Sequence, residues 1–341
     1  MVAANTSLPD ESYVPILKCK MGELGAAESC LLDTVVPLFE VRDPEASATK
    51  LLKAWPAASG VAWIHSLNLS GADEQEFAES VSTLFTLLQT EMLAVPVITT
   101  SESSAMLRTV AEIVSVQDRG VVLRLEPEEL LATPEATWSG IDEVLAACGV
   151  PPHAVDVVVD AGFVAGTPAT RAAVVNQALR TLPSGDWRNL VVAFSAFPQD
   201  MSTVDKDSVG EFPRQDAAAF ELLPSRETAP PLIYADYTIG VPSHAEAGFL
   251  PIPNIKYTDE RTWKIHRGAA RTNPTPQYRA LASDLVAAPY FAADQSSPCD
   301  EYLRTVANGS DGPGNAMTHL RAGISRHVHV VAYRLANLGV P

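Results

Sequence analysis

Short apolar runs in this chain end on side chains that can hold an anion or move a proton. Lys18 and Lys20 end the run 13–20, Glu40 and Arg42 end 35–42, and His65 lies late in 61–69. Arg124 and Glu126 end 120–126, Asp160 ends 155–160, Ser195 ends 190–195 and Asp236 ends 232–236. A lysine among carboxylates can act as a Schiff-base nucleophile if burial and nearby cations lower its pKa, or it can simply pair with Glu40 or Asp236. Glu40, Asp160 and Asp236 could work as an acid and base or hold magnesium through oxygen, and they could equally balance Arg42 and Arg124. Arg124 with Lys20, Arg214 and Arg267 could cradle a phosphate or carboxylate, since a planar, permanently charged guanidinium suits that task; Asp160 would serve it as a partner just as well. His65 is a general base, a metal ligand or a satisfied polar residue. His327 and His329 form an H-x-H, but on a helix two residues apart point about 200° away from each other, so they predict no metal site.

The elements that must position these groups follow from rhythm. Eight apolar runs (the seven above and 94–100) alternate with helical patterns at 72–93, 104–116, 128–147 and 167–182. Alternation of strand and helix implies parallel strands joined by crossovers, and eight units close a barrel. The expected fold is therefore α/β, a (β/α)8 TIM-like barrel of a single domain over 1–341, with an insertion at 241–317 between the eighth strand and the C-terminal helix. Strand parity puts Ile16, Lys18 and Lys20 on the lumen side, with Leu38, Glu40 and Arg42, Val122, Arg124 and Glu126, and Val158 and Asp160. The connection 197–231 contains a helical piece at 213–223 and reads either as a lid or as a surface excursion. Beyond it come a hairpin at 255–258 and 262–266, helices at 277–288 and 299–308, and a final helix at 318–338 that would be the eighth of the barrel.

Composition narrows the classes. The 341 residues are 47% hydrophobic and 19% charged, with a formal net charge of −17. Such acidity argues against a broad nucleic-acid or anionic-membrane footprint, and no apolar stretch nears the roughly 18 residues that span a bilayer. The start, 1–11, lacks a basic region followed by an apolar one, so a cytoplasmic location is expected. Cys19, Cys30, Cys148 and Cys299 are too scattered for a zinc ribbon or disulfide framework. Absence of G-x-x-x-x-G-K-S/T, G-x-G-x-x-G, G-x-S-x-G and H-E-x-x-H removes support for the common nucleotide-binding, hydrolase and zincin readings. The cofactor, if one is used, stays unknown at this level.

Several local patterns share an order and spacing: Tyr13-Val-Pro-Ile-Leu-Lys-Cys-Lys-Met-Gly-Glu23, Val36-Pro-Leu-Phe-Glu-Val41, Pro213-Arg214, Ala235-Asp-Tyr237, Ile255-Lys-Tyr-Thr258, His266-Arg-Gly268, and Arg321 with His327. Together they resemble the family of bacterial and phage proteins called beta protein. The resemblance implies a barrel and supplies no reaction. It departs near 291–301, where this chain has Ser297-Pro-Cys-Asp300 in place of a Gly-Asp element. Two functions follow as expectations. One is an enzyme or binding protein taking a small anionic or polar ligand at the barrel mouth, with Lys20, Glu40, Asp160 and Asp236 catalytic and Lys18, Arg42, His65, Arg124, Ser195, Arg214, Arg267 and His327 in contact with the ligand. The other is a non-catalytic interaction component of a phage-related or defence system that meets a protein partner.

Overall fold

The structure is a computed structural model that describes residues 7–30, 32–183, 185–224, 230–245, 251–292 and 296–341. Residues 1–6 of the start segment, 225–229 of the long connection, and 246–250 and 293–295 of the expected insertion lie outside that description.

Strands β1 (Tyr13–Lys18), β2 (Leu38–Val41), β3 (Val61–Ser66), β4 (Leu93–Ile98), β5 (Val121–Leu125), β6 (Val155–Phe163) and β7 (Asn189–Ser195) pair in chain order. The chain then makes β8 (Ser208–Pro213) outside the barrel and returns as β9 (Leu232–Asp236), which closes the sheet between β7 and β1. All eight barrel pairings are parallel. Helices α1 (Met21–Glu28), α2 (Pro44–Ala54), α3 (Glu74–Leu88), α4 (Ser104–Gln117), α5 (Pro127–Ala132), α6 (Pro134–Cys148), α7 (Pro168–Thr181) and α8 (Gln215–Glu221) fill the crossovers.

Local chemistry starts these helices where the strands stop. Asp43, Asp73, Ser103 and Thr167 each accept a backbone N–H from the first turn that follows, satisfying a donor that would otherwise be orphaned. Gly120 leads into β5 at φ +69°, and a Cβ there would stand 1.9 Å from the Ala154 carbonyl oxygen, so only glycine fits. Inside the barrel, Ile16, Leu38, Trp63, Val122, Val158 and Val191 pack against one another. The opposite strand faces, such as Leu17, Phe39, Ile64 and Val157, join the larger core beneath the helices. That two-sided burial is why the strands read as continuous apolar runs.

After β9 come β10 (Asn254–Thr258), β11 (Thr262–Arg267), α9 (Pro274–Val286), α10 (Pro298–Asn308) and α11 (Ala316–Leu338). β10 and β11 form the expected hairpin, and β11 also pairs antiparallel with β8. β8 corrects the reading of 197–231 as a loop with one helical piece at 213–223. Its side chains alternate between half-buried and exposed, and among the described residues its strand partner comes from more than forty residues later in the chain, so no local pattern announces it. Tyr257, Leu281, Leu285, Leu303 and Ala322 make a separate small core that joins β10, α9, α10 and α11.

Candidate functional site

Arg124, on the lumen face of β5, is the centre of a polar cluster at the C-terminal mouth of the barrel. Its Nε and Nη2 both donate to Asp160 Oδ2, at 3.0 and 2.6 Å; Nη2 also donates to the Tyr237 hydroxyl at 2.6 Å. Its Nη1 donates to Glu40 Oε1 at 2.9 Å and to His65 Nδ1 at 2.7 Å. The Tyr237 hydroxyl donates in turn to Asp160 Oδ2 at 2.5 Å, and Asp160 Oδ1 accepts Gly162 N–H at 2.9 Å. On the far side of Glu40, His244 Nε2 lies 2.9 Å from Oε2. Glu40, His65, Arg124, Asp160, Tyr237 and His244 thus come from β2, β3, β5, β6 and the segment after β9, and all six line a cavity of about 590 Å³. Glu126, Glu128, Glu129 and Arg171 stand at its rim.

A guanidinium has five N–H donors, and each of Arg124's has a partner within this cluster. Burial works against its charge, but Asp160, Tyr237 and Glu40 outweigh it and raise the Arg124 pKa further. Burial alone would raise Glu40; the His244 hydrogen bond and the Arg124 charge reverse that and hold it at about 2. Tyr237 is raised well above the ordinary phenol value by burial and by Asp160, so its proton stays in place. His65 is pushed down to about 3 by burial and then by Arg124. It is therefore neutral, with Nδ1 as acceptor.

The His65 shift has a checkable sign. A base whose folded pKa lies below its unfolded value of about 6.5 stabilises the fold above that value, and the contribution is lost as pH falls toward 3. Between pH 7 and pH 5 this amounts to about 2 kcal/mol. Glu23, raised to about 7 by burial, runs the other way, and comparing wild type with His65→Gln cancels it. Urea unfolding at the two pH values should show the wild type losing about 2 kcal/mol more than the variant on acidification; equal losses would contradict a buried neutral His65.

Glu40, His65, Arg124 and Asp160 are brought together; the other sequence candidates lie elsewhere. Asp236 belongs to a second buried cluster on the outer face of β9. There it accepts from Tyr13 at 2.5 Å, Tyr234 at 2.9 Å, Thr238 N–H at 2.8 Å and His327 Nε2 at 2.8 Å, with Arg214 at 3.6 Å. The Trp263 indole N–H, which can only donate, points at His327 Nδ1 at 3.3 Å, so the imidazole proton sits on Nε2 and faces Asp236. The expectation that Lys20, Glu40, Arg124, Asp160 and Asp236 share one hollow is thus corrected. In β9 it is Ala235 and Tyr237 that pack with the lumen residues, and strand parity then turns Asp236 toward the helices. Lys20 is the exposed N-cap of α1 and Arg42 is exposed just past β2, both beyond the strand ends. Ser195 is buried at the end of β7 away from the cavity lining. Arg214 is enclosed with Asp216 and Tyr234, and Arg267 holds the carbonyls of Met201 and Val204. Lys18 reaches carbonyls of the segment after β9. Two of the six residues of the central cluster were not sequence candidates. Tyr237 was available from parity one step past Asp236, whereas His244 sits in a segment with no periodicity.

A closed eight-stranded parallel sheet wrapped by helices, with a polar cavity at the C-terminal ends of its strands, defines a (β/α)8 barrel protein of the TIM type. The chain belongs to the Beta protein family, whose model matches residues 13–333. No curated protein is similar to this chain. Among solved structures it is similar to triosephosphate isomerase from Bartonella henselae, with 11% identity and a TM-score of 0.32 over 66% of this chain and 92% of that one. At so loose an overlap the fold assignment rests on the strand order itself. Among the described residues no helix is long and apolar enough to cross a membrane, and no group of three or more His, Cys, Asp or Glu side chains is placed to hold a metal ion.

Proposed function

We propose that the barrel mouth binds a small polar molecule bearing an amine or hydroxyl groups and is equipped to move a proton on it. The observation that carries this reading is the saturation of Arg124: with all five donors engaged by Asp160, Glu40, His65 and Tyr237, it has none to offer a phosphate or carboxylate. Arg171 at the rim directs three of its five N–H groups to Glu128 and the Ala161 carbonyl. The lining carries five carboxylates, from Glu40, Glu126, Glu128, Glu129 and Asp160, against two guanidiniums, so a cation or a hydroxyl donor is the better electrostatic match and the anionic alternative is disfavoured. Proton transfer falls to Glu40 and His244. The carboxylate fixes the ring through Nε2, which leaves Nδ1, buried and unpartnered among the described residues, as the ring's proton-accepting lone pair.

Glucosamine, glucose and glucose 6-phosphate share one pyranose ring while the charge changes from positive to neutral to negative, and thermal shift with the three tests the proposal. Glucosamine at 100 times its Kd should stabilise the protein by about 2.7 kcal/mol, glucose less and glucose 6-phosphate not at all. Glu40→Gln should abolish the amine's advantage. Preferential stabilisation by the phosphate would overturn the reading.

A further inference from the structure

The segment that follows β9 is met by two lysines along its backbone before it delivers His244. Lys18 Nζ, at the end of β1, donates to the Val241 carbonyl at 2.9 Å and to that of Ser243. Lys256 Nζ, from β10, donates to the Ile239 carbonyl at 3.3 Å while standing 4.5 Å above the Phe197 ring. The same segment is fixed at its start by Tyr237 on Asp160 and at its end by His244 on Glu40. Tyr237, Pro242 and His244 all line the cavity, so residues 237–245 form a strap along one side of the mouth.

The choice of partners is informative. Lys18 lies in the field of the Glu23 and Glu40 carboxylates, yet its ammonium is spent on two neutral carbonyls of the strap, and Glu23 accepts the Lys18 backbone N–H. Gly323 of α11 lets the other lysine approach: a Cβ at that position would stand 2.7 Å from Ile239 Cδ1 and 2.8 Å from the Lys256 carbonyl oxygen. Helix, β10 and strap therefore close on one another at that point, and Lys256 is delivered to Ile239.

We propose that Lys18 and Lys256 are positioning residues that clamp the 239–243 backbone so that His244 stays seated on Glu40. The clamp works through charge-assisted hydrogen bonds to three successive odd-numbered carbonyls, which fixes the path of the strap without adding charge to the cavity. It rests on the reading of the mouth as the working site, and its test is therefore made on the protein without ligand, where it can fail while the amine preference survives, or the reverse.

The readout is the imidazole N–H resonance of His244 in nitrogen-15 NMR spectra, identified by its disappearance in His244→Gln. Glu40 accepts, so Nε2 carries the proton and should be protected from exchange. The His327 Nε2–H on Asp236, across the sheet, is the internal control. Lys18→Met should speed exchange of the His244 N–H by at least about tenfold, as expected when one charged hydrogen bond of the closed state is lost, with the His327 N–H unchanged. Lys18→Arg should restore most of the protection, and Lys256→Met should act in the same direction as Lys18→Met. If Lys18→Met fails to fold, Lys256→Met and Lys18→Arg decide the question alone. The proposal is overturned by a wild-type His244 N–H without protection, by a His244 signal unmoved in the methionine variants, or by a parallel loss at His327, which would mark a merely global effect.

Discussion

Arg124→Ala should lower the unfolding free energy at pH 7 by about 3–5 kcal/mol, because it leaves Glu40 and Asp160 buried without their shared counter-charge. Both side chains are at most one-tenth exposed, and the pair Tyr237 and Gly162 satisfies Asp160 with hydrogen bonds only. The loss should shrink as pH falls toward 5. Without the guanidinium, only His244 still opposes the effect of burial on Glu40, so its pKa rises and protonation relieves part of the penalty. The space vacated by the side chain would be a cation-shaped hole opening on the cavity, so millimolar methylguanidinium should restore part of the lost stability to this variant and stabilise wild type less. Measured by chemical denaturation at pH 7 and pH 5, a loss under about 1 kcal/mol would show that the cluster is balanced without Arg124, contrary to the pairings described.

Asp236→Asn should be as costly for a different reason and leave the mouth intact. The carboxylate receives Tyr13, Tyr234, Thr238 N–H and His327, and it faces Arg214. An amide removes the charge and offers N–H groups to partners that are themselves donors. Breaking one member of a buried charge network costs about 3–5 kcal/mol, which at roughly 2–4 °C per kcal/mol for a domain of this size or somewhat smaller lowers Tm by about 10 °C. Burial pushes Asp236 up, but His327, Arg214 and Tyr13 prevail and hold it at about 2. Its stabilisation is thus present above the unfolded value near 4 and is lost as pH falls from there toward 2. Glucosamine binding by the surviving folded fraction should match wild type, since Asp236 faces α11 and not the cavity. A variant that kept its Tm and lost the amine would place Asp236 in the site after all.

The contrast between these two aspartates shows how far the sequence could be read. Glu40, Arg124 and Asp160 share a lumen face with Leu38, Val122 and Val158, and period-two alternation within an apolar run is enough to say so. At β9 the run Leu232–Asp236 ends on a charged residue, and a charge at a strand end invites an inward reading. The face, however, is set by the phase of Ile233 and Ala235, and a shift of one residue exchanges Tyr237 for Asp236. Lys20 and Arg42 follow the right parity but lie past the last paired residues, Lys18 and Val41, where alternation no longer constrains the side chain. His244 and β8 depend on contacts between segments far apart in the chain, which no local pattern encodes, and the expected hairpin holds Lys256 without announcing its reach to Ile239.

The central claim is that the mouth recognises a cation or hydroxyl donor while Arg124 stays bound to its own carboxylates. A crystal structure of the protein soaked with an equimolar mixture of glucosamine and glucose 6-phosphate is the decisive test. Glucosamine density is expected in the 590 Å³ cavity, its ammonium within hydrogen-bond reach of Glu40, Asp160 or Glu126, with Arg124 still bridging Glu40 and Asp160. Density for glucose 6-phosphate seated on an Arg124 swung free of Asp160, with the cavity empty of glucosamine, would contradict it.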